Sequence, residues 1–290
     1  MNLISNELTI TIVLFEEKKS LVFECLENIK NFKVIIIDNA GNSLLRLKVE
    51  DKYKIHKYIL NKKNYGVSKA FNQAINLCDT PYILNINADC FIKSESILKL
   101  LESHKKYKNC FLTSPTFYDK NLNLTYNAGS FLDLKKKNEV LDLEGDICAD
   151  MVLGSAILYK KEDIIKIGLF DENFFVYFLD YDLCKKIKQK NMSVIQVFDA
   201  KAIHSHGQSK VKNFLKRVYN RHYNFTHDEL YYCYKIKNSH QKFDNLKKKI
   251  NNYIFKFVLN LLTFRLEKSV QYFALIRAYY SFKNFLNKNR

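Results

Sequence analysis

The sequence contains little glycine and proline, the residues that dominate flexible linkers. Its 290 residues include only 7 Gly and 2 Pro, so linkers and low-complexity segments have little room, and no internal repeat is present. Hydrophobic residues make up 47% of the chain and aromatic residues 14%, which excludes general disorder. We therefore expect a compact protein built as one large domain, or as one domain with an appendage.

Paired cysteines and long apolar runs are also missing. The seven cysteines are scattered and never form a CxxC pair, as expected for reduced thiols in a cytosolic protein. The N-terminal residues lack the basic start and the small-residue cleavage site of a signal peptide. No run of 18 apolar residues occurs, and the best candidate, at 253–264, is interrupted by Lys256. We therefore predict a cytoplasmic protein that does not span a membrane.

Negative charge is scarce in the last part of the chain. The whole sequence carries 47 Lys and Arg against 30 Asp and Glu, a net charge of +17. Most of the surplus lies between residues 211 and 290, where 17 basic residues outnumber 4 acidic ones. Such charge indicates an anionic partner, which could be nucleic acid, an anionic membrane surface or a phosphorylated substrate.

Residues 8 to 90 alternate between apolar strands and amphipathic helices. Strands are predicted at 8–15, 33–38, 52–60 and 82–89, and helices at 20–30 and 66–78. Strands that are apolar throughout and alternate with helices predict an α/β fold, with a mainly parallel central sheet covered on both faces. Later strands are predicted at 149–159 and 192–198, and helices at 94–107, 180–190 and from 210 onward.

Two of the predicted strands end in an aspartate, Asp38 and Asp89. Ligands of such sheets bind beyond the carboxyl ends of the strands, so both residues are candidates for a binding site. Either residue alone could as well be a solvated loop acid or a helix N-cap. Neither strand carries a Gly-rich phosphate-binding sequence, which disfavours a Rossmann dehydrogenase or a P-loop NTPase.

The segment FFVYFLDYDLCKK at 174–186 combines aromatic residues with Asp180 and Asp182. A helix is predicted to begin here, and an acid in its first turn is favoured by the helix dipole and by unpaired N–H groups. That accounts for one of the two aspartates. An acid beside aromatic rings would be partly desolvated, which raises its pKa towards the range of a general base. The other aspartate is therefore a candidate base.

Five segments follow one another along the chain: IIIDNA at 35–40, NYGVSKAFN at 64–72, ILNINAD at 83–89, the run 153–194 and HSHGQS at 204–209. In this order they resemble the inverting family 2 glycosyltransferases with a GT-A fold, especially their rhamnosyltransferase-like branch. The resemblance covers roughly residues 8–210, and its run 153–194 is highly specific. Two positions depart from the family pattern: Leu179 replaces the usual Glu, and Ala88 replaces the usual Pro.

The resemblance implies a nucleotide-diphosphate sugar as donor and a divalent cation, Mn²⁺ or Mg²⁺, as cofactor. Asp89 is implied as a metal ligand, and His204 or His206 as a further ligand or a contact to the diphosphate. A histidine with a structural role in a loop is the alternative, and Mn²⁺ is favoured if an imidazole ligates. Asp38 is implied to read the nucleobase, and the remaining donor contacts are Asn64, Gly66, Asn72 and Asn87. Because residue 87 offers no carboxylate, metal ligation by the protein would be sparse.

On the acceptor side, the resemblance implies Asp180 as the base that takes the proton of the attacking hydroxyl. Tyr177, Phe178 and Asp182 are implied as acceptor contacts, although the two rings could be plain core and Asp182 could have a structural role at the helix N-terminus. The loss of the usual Glu at position 179 removes one carboxylate from this side. The implied acceptor is a saccharide, lipid-linked or part of a cell-surface polysaccharide precursor such as that of lipopolysaccharide.

We divide the chain into a GT-A domain, residues 1–210, and a basic, aromatic-rich helical region, residues 211–290. Basic amphipathic helices of this kind lie on anionic membrane surfaces. This predicts a cytoplasmic protein that is peripheral on the inner face of the cell membrane. An ordinary helical cap on the catalytic domain is the alternative interpretation of the same residues.

Three alternative functions follow from the same features. A catalytically degenerate GT-A protein, binding nucleotide sugar or a partner without turnover, is motivated by Leu179 and Asn87. A nucleic-acid-binding protein would also be basic and aromatic, but no helix-turn-helix, zinc-finger or RNP signature is present, so we predict no nucleic-acid partner. A nucleotidyltransferase would need a Gly-rich basic loop near the N-terminus, which TIVLFEEKKS at 11–20 does not supply.

Overall fold

A computed structural model describes residues 6–126, 144–205, 213–237 and 240–288. The chain divides into two compact units, each built from segments that are distant in sequence. The first unit comprises Met1–Asp171 and Leu179–Ser209, and the second comprises Glu172–Phe178 and Lys210–Arg290. The aromatic segment 172–178 belongs to the second unit, whereas the sequence-based division placed it in the first. The domain limits at 210 and 211 stay a prediction.

One sheet organises the first unit. The strands of the described chain that form it are β1 (Leu8–Leu14), β2 (Lys33–Asp38), β3 (Lys57–Leu60), β4 (Tyr82–Asn87), β5 (Cys90–Ile92), β6 (Cys110–Tyr118), β7 (Leu124–Tyr126), β8 (Ile147–Ala149), β9 (Ala156–Lys160) and β10 (Ser193–His204). Their order is β3-β2-β1-β4-β9-β6-β10-β5, with β7 beside β6 and β8 beside β10. β3, β2, β1 and β4 are parallel, whereas β9 lies antiparallel between β4 and β6.

Helices cover both faces of this sheet. The helices of the first unit are α1 (Lys19–Ile29), α2 (Ser43–Lys52), α3 (Val67–Leu77), α4 (Ser94–Lys106), α5 (Lys161–Lys166) and α6 (Leu179–Gln189). Because side chains alternate along a strand, Val34 and Ile36 of β2 lie in a core with α1, α2 and α4. Ile35 and Ile37 lie in a second core with α3, α5 and α6. Burial on both faces explains why these strands are apolar throughout.

Apart from β3, which begins at Lys57 and not at the predicted residue 52, two strands differ clearly from their predicted limits. The strand predicted at 149–159 is split into β8 and β9, with a loop at 150–155 between them. The strand predicted at 192–198 continues as β10 to His204, with an irregular register along its length. Both differences matter for function, because the loop 150–155 and the end of β10 carry residues of the candidate site.

The second unit contains three long helices, α7 (Phe214–Lys237), α8 (Gln241–Leu262) and α9 (Leu266–Lys288). α9 packs against both α7 and α8. Its Phe282 is 1% exposed and lies 5.7 Å from Phe243 and 6.2 Å from Tyr234, measured between ring centroids. Aromatic packing of this kind explains the abundance of Tyr and Phe after residue 210. Within the described residues, no helix has the length and apolar content needed to cross a bilayer.

Candidate active site

The carboxyl ends of β2, β1 and β4 lie side by side and carry polar residues predicted for donor binding. β1 is in parallel register with both neighbours, with Leu14 opposite Asp38 and Val13 opposite Asn87. Asp89 follows in the turn between β4 and β5. The register therefore brings the two aspartates and the asparagine to one edge of the sheet, where ligands of such sheets bind. We call it the donor edge, after the ligand that the sequence predicts for it.

Asp89 and His204 form a carboxylate–imidazole pair at this edge. β10 pairs antiparallel with β5, which places His204 opposite Cys90 and beside Asp89. Oδ1 of Asp89 lies 3.3 Å from Nε2 of His204. The Ser205 N–H donates to the Asp89 carbonyl at 3.0 Å, so the backbone holds the two residues together. The histidine side chain is 7% exposed and the aspartate side chain 17%.

This pair contains both predicted metal ligands. A carboxylate oxygen and an imidazole nitrogen are suitable donors for a divalent transition metal. Across residues 6–126, 144–205, 213–237 and 240–288, no group of three His, Cys, Asp or Glu side chains could hold a metal ion by itself. A cation bound by Asp89 and His204 would need further ligands from a diphosphate and water. His206, the alternative ligand, lies outside the described residues.

Ser155 joins this pair to the end of β4. Its hydroxyl lies 3.3 Å from Nε2 of His204 and accepts a hydrogen bond of 3.3 Å from the side-chain amide of Asn87. Its carbonyl accepts the backbone N–H of Asn87 at 2.9 Å. The side chain of Ser155 is buried. Asn87, predicted as a donor contact, therefore also ties the loop 150–155 to the sheet.

The adjacent residue, Gly154, contacts the predicted base. Its N–H donates to Oδ2 of Asp180 at 3.1 Å, and the N–H of Tyr181 donates to Oδ1 at 3.0 Å. Burial raises the pKa of the Asp180 carboxyl, and these N–H groups offset the shift only in part. A raised pKa brings the carboxyl closer to the range of an effective general base.

Gly154 and Ser155 therefore connect the predicted base with the predicted metal ligands. Asp180 contacts the first of these two residues and His204 contacts the second, so neighbouring residues link both halves of the site. A side chain at 154 would be tightly packed, because a Cβ there would lie 3.0 Å from Cβ and 3.3 Å from Oδ2 of Asp180, so that Asp180 would have to shift by a few tenths of an ångström. The sequence showed both residues within the run 153–194, but their contacts depend on the folded loop.

Asp182 is buried and forms an ion pair within its own helix. It is 3% exposed, and its Oδ2 lies 3.1 Å from Nζ of Lys186 one turn later in α6. Lys186 also donates to the carbonyl of Leu169 at 3.0 Å. These contacts support the structural role considered for Asp182 from the sequence. Its assignment as an acceptor contact stays a prediction.

Asp38 organises the turn that follows β2. Its buried carboxylate accepts hydrogen bonds from the Ala40 N–H at 2.8 Å, the Asn42 N–H at 3.3 Å and the Tyr58 hydroxyl at 3.2 Å. Burial, together with the charge and the hydrogen bond of Asp38, raises the pKa of Tyr58. A carboxylate accepts about four hydrogen bonds, so capacity for a nucleobase donor is limited. The predicted nucleobase role stays a prediction.

Asn64, Gly66 and Asn72 shape the start of α3 and its packing. Oδ1 of Asn64 accepts the Gly66 N–H at 2.9 Å, and Gly66 has a φ of +87°, which favours glycine. Asn72 is buried, and both ends of its amide pair with the backbone of Phe170, at 2.9 Å and 3.1 Å. A nucleotide would have to share these partners of Asn72. All three donor contacts stay predictions.

Tyr177 and Phe178, the predicted acceptor contacts, lie in the second unit. The ring of Tyr177 is 5.3 Å from that of Phe225 on α7. Phe178 is 8% exposed and stacks on Tyr232 with 5.1 Å between the ring centroids. These contacts favour the core role that the sequence left open for Phe178. The acceptor roles of both residues stay predictions.

Glu17 is a further carboxyl at the donor edge that the sequence-based reasoning did not single out. It follows β1, the strand between β2 and β4, and accepts a hydrogen bond from the Phe15 N–H. Burial raises the pKa of Glu17 from 4.5 to about 7, and the charges of Asp38 and Asp89 add to the increase. Its position directly after a buried central strand is the signal that could have identified it.

Comparison with known protein families identifies the family of the chain. A family model described as glycosyl transferase family 2 matches residues 9–168, more than half of the chain. The chain belongs to glycosyl transferase family 2. This confirms the family resemblance that the sequence motifs indicated.

The relatives of this family 2 protein include two curated rhamnosyltransferases. It is 26% identical over 188 residues to dTDP-rhamnosyl transferase RfbF of Shigella flexneri, with 63% of each chain covered. It is 24% identical over 235 residues to rhamnosyltransferase WbbL of Escherichia coli, with 73% of this chain and 88% of WbbL covered. Both relatives agree with the predicted resemblance to the rhamnosyltransferase-like branch of the family.

A solved structure confirms the predicted fold. The crystal structure of GalNAc-T7 with UDP, GalNAc and Mn²⁺ matches this family 2 protein with a TM-score of 0.54 and 13% sequence identity. The match covers 68% of this chain and 43% of GalNAc-T7. The likeness confirms the GT-A fold. The family 2 protein spans less than two thirds of both RfbF and GalNAc-T7.

Gly154→Ala tests the packing of the loop 150–155 on Asp180. The added methyl group would displace the carboxylate by a few tenths of an ångström, so we expect kcat for the proposed sugar transfer to fall by about 10-fold, less than the roughly 100-fold that a misplacement of about 1 Å can cost. Gly145→Ala is the matched control, because a Cβ there meets nothing within 4 Å. Steady-state kinetics of both variants measure the difference. Equal kcat values would contradict the proposed packing constraint.

Glu17→Gln tests the charge density at the donor edge. Folded Glu17 holds its proton up to about pH 7, whereas its ordinary pKa is 4.5, so its contribution to stability is lost as pH rises through that window. Relative to Glu17→Gln, the wild type should lose about 2 kcal/mol of unfolding free energy between pH 5 and pH 8. Urea unfolding at both pH values measures this. A pH-independent difference would show that Glu17 ionises normally.

Proposed function

We propose that this protein is an inverting glycosyltransferase that moves a sugar from a nucleotide-diphosphate donor to a saccharide hydroxyl. The observation that carries the proposal is the link through Gly154 and Ser155 between Asp180 and the pair Asp89–His204. An inverting transfer needs a base for the acceptor and a site for the leaving diphosphate. The linked residues supply groups suited to both tasks.

Asp180 is the proposed base. As the acceptor oxygen attacks the anomeric carbon, the bond from that carbon to the diphosphate oxygen breaks on the opposite face. The hydroxyl proton passes to the carboxylate of Asp180, and the diphosphate leaves with the bonding electrons. The N–H groups of Gly154 and Tyr181 hold the carboxylate in place, while its partial burial raises its pKa and makes it a better proton acceptor.

Asp89 and His204 are the proposed protein ligands of a divalent cation. Their facing oxygen and nitrogen atoms are suitable ligands for such an ion. Two protein ligands would leave coordination positions that a diphosphate can fill. When bound, the cation neutralises charge that develops on the leaving group. Mn²⁺ is the preferred candidate because one donor is an imidazole, and the GalNAc-T7 structure was determined with this ion. Mg²⁺ is the alternative.

The donor is proposed to occupy the edge formed by β2, β1 and β4. Asp38 would accept from the nucleobase, while Asn64, Gly66, Asn72 and Asn87 would surround the rest of the nucleotide. The first donor to test is dTDP-rhamnose, because RfbF is described as a dTDP-rhamnosyl transferase and WbbL as a rhamnosyltransferase. The acceptor is proposed to be a lipid-linked or cell-surface polysaccharide precursor, such as that of lipopolysaccharide, with Tyr177, Phe178 and Asp182 as candidate contacts.

A degenerate protein that binds nucleotide sugar without turnover is the second candidate. It is favoured by Leu179, at the position where the family usually has Glu, and by Asn87, which has no carboxylate. The two candidates share donor binding and differ in transfer. Donor binding without transfer to any saccharide acceptor by the wild-type protein would therefore favour the second candidate.

Asp180→Asn tests the proposed function directly. The variant keeps the size of the side chain and should fold and bind donor, while losing about 10²- to 10⁴-fold in kcat through loss of the base. Donor binding is measured as thermal stabilisation by dTDP-rhamnose with Mn²⁺, and transfer as release of dTDP. Asp199→Asn, at an exposed position on β10, is the control. Wild-type turnover by Asp180→Asn would eliminate this residue as the base.

The second unit is proposed to hold the protein on an anionic membrane surface at the inner face of the cell membrane. Exposed apolar side chains cluster at the end of α8 and the turn into α9. These residues, which we call the α8–α9 tip, are Ile254, Phe255, Val258, Leu259, Leu261, Leu262, Phe264 and Leu266. Leu262 is 71% exposed and Phe264 is 86% exposed. Such a group of apolar side chains is unusual on a surface that contacts only water.

Charge near the α8–α9 tip favours an anionic bilayer as its partner. Residues 241–288 contain ten Lys and Arg against two acidic residues. Each basic residue near an anionic surface contributes about 1 kcal/mol of attraction. Apolar insertion combined with basic flanks is the binding mode of interfacial helices. A membrane location would also bring the protein to a lipid-linked acceptor.

Serine substitutions at the α8–α9 tip test this membrane contact. The triple variant Phe255→Ser, Leu262→Ser, Phe264→Ser should bind vesicles containing phosphatidylglycerol at least about 10-fold more weakly in a flotation assay, because three apolar side chains no longer insert. Leu44→Ser with Leu122→Ser removes side chains that are 68% and 69% exposed in the first unit, and is the control. Equal flotation of all proteins would refute the contact. A wild type that is dimeric in light scattering, with a monomeric triple variant, would also refute it, because a second copy would then cover the tip.

A further inference from the structure

Asp228 of α7 is a completely buried carboxylate that no step of the proposed reaction uses. It is 0% exposed. Its oxygens accept three successive backbone N–H groups, from Phe175 at 3.1 Å, Val176 at 2.9 Å and Tyr177 at 2.9 Å. A buried carboxylate is tolerated only when such partners replace water. Consecutive N–H groups that converge in this way form an anion-binding concavity, and here the chain fills it with its own side chain.

These hydrogen bonds fix a segment that has no helix or strand of its own. Residues 172–178 lie between α5 and α6 without regular secondary structure, so sheet or helix hydrogen bonds do not hold them. Phe174 is fully buried and packs edge-on against Tyr231 at 4.9 Å. The Asn173 side chain donates to the Tyr231 hydroxyl at 3.2 Å. The side chain of Asp228 accepts the backbone N–H groups of the segment, so α7 holds the segment in its conformation.

The last residue of the segment has a strained backbone. Phe178 has a φ of +64°, a left-handed conformation that costs a bulky residue about 1–2 kcal/mol. Its ring is held by stacking on Tyr232 and by contact with Phe225 at 5.4 Å. α6 begins at the next residue, Leu179, and Asp180 is its second residue. Residues 175–178 therefore lead directly into the first turn of α6.

We propose that Asp228 is a positioning residue for sugar transfer. By holding the N–H groups of residues 175–177, it fixes the strained turn at Phe178 and so the first turn of α6, where Asp180 must meet the acceptor hydroxyl. The inference rests on the proposed role of Asp180 as base. Asp228 itself touches neither substrate nor the reacting atoms. Its effect reaches Asp180 along the chain, through three residues of backbone.

Substitution of Asp228 should lower kcat without weakening donor binding. Asp228→Ala removes the acceptor of all three N–H groups, and we expect kcat to fall by about 10- to 100-fold. Asp228→Asn keeps one carbonyl oxygen as acceptor and should lose less. KM for the donor should stay within about twofold of wild type, because the proposed donor contacts lie on the first unit. Glu229→Gln, the next residue on α7, is the matched control.

Hydrogen exchange gives a readout that is independent of activity. The amides of Phe175, Val176 and Tyr177 should exchange slowly in the wild type and in Glu229→Gln, faster in Asp228→Asn and fastest in Asp228→Ala. Normalising kcat to the number of donor-binding sites separates mispositioning from simple unfolding, since an unfolded fraction binds no donor. If Asp228→Ala does not fold, Asp228→Asn carries the same comparison.

The two proposals fail in different ways. Full turnover by Asp180→Asn would overturn the base assignment, whatever the Asp228 variants do. Reduced turnover by Asp180→Asn, combined with wild-type kcat per donor site in both Asp228 variants, would overturn the positioning role alone. Unchanged exchange of the three amides in Asp228→Ala would also overturn it, since the hydrogen bonds would then not hold the segment.

Discussion

The candidate site depends on the antiparallel insertion of β9 between β4 and β6. Because β9 runs against β4, with Ala156 opposite Ile86, the residues that precede β9 lie at the carboxyl end of β4. That is the edge where Asn87 and Asp89 are found. Gly154 and Ser155 reach it through this reversal, and there they contact Asp180 and His204. A parallel β9 would have placed the loop 150–155 at the opposite edge.

Local patterns were sufficient to predict the donor edge. Asp38 and Asp89 lie at the ends of buried apolar runs, and such runs become parallel strands of one sheet whose carboxyl ends share an edge. The first turn of α6 was also readable, because Asp180 and Asp182 precede Leu183 and Ile187 at helical spacing. The residues involved are close in sequence, so periodicity and chain position were enough. The family motifs added what periodicity cannot supply, the expectation that 89 and 180 serve one reaction.

Residues whose roles depend on distant partners could not be predicted in the same way. Ser155 became a link only because a strand predicted at 149–159 is interrupted. Glu17 follows a buried strand within a polar run, but its burial and its interaction with the charges of Asp38 and Asp89 arise only in the folded structure. Asp228 is one acid in a basic helix, and nothing in its local sequence indicates three N–H partners about fifty residues earlier. Contacts between residues so far apart in sequence form only in the tertiary structure.

The charge balance at the donor edge explains why a cation is part of the proposed chemistry. Glu17, Asp38 and Asp89 are close enough to interact electrostatically, and the pKa of Glu17 at about 7 records a cost of placing another negative charge there, after the larger cost of burial. A nucleotide diphosphate would add charge of the same sign to this edge. Like charges in a partly desolvated site repel strongly, so the proposed donor would need a positive group between its phosphates and the carboxylates. The pair Asp89–His204 offers a place for that group, and protonation of Glu17 would reduce the repulsion further. The carboxylates that would repel a free diphosphate are therefore the same groups that would favour a metal-bound diphosphate.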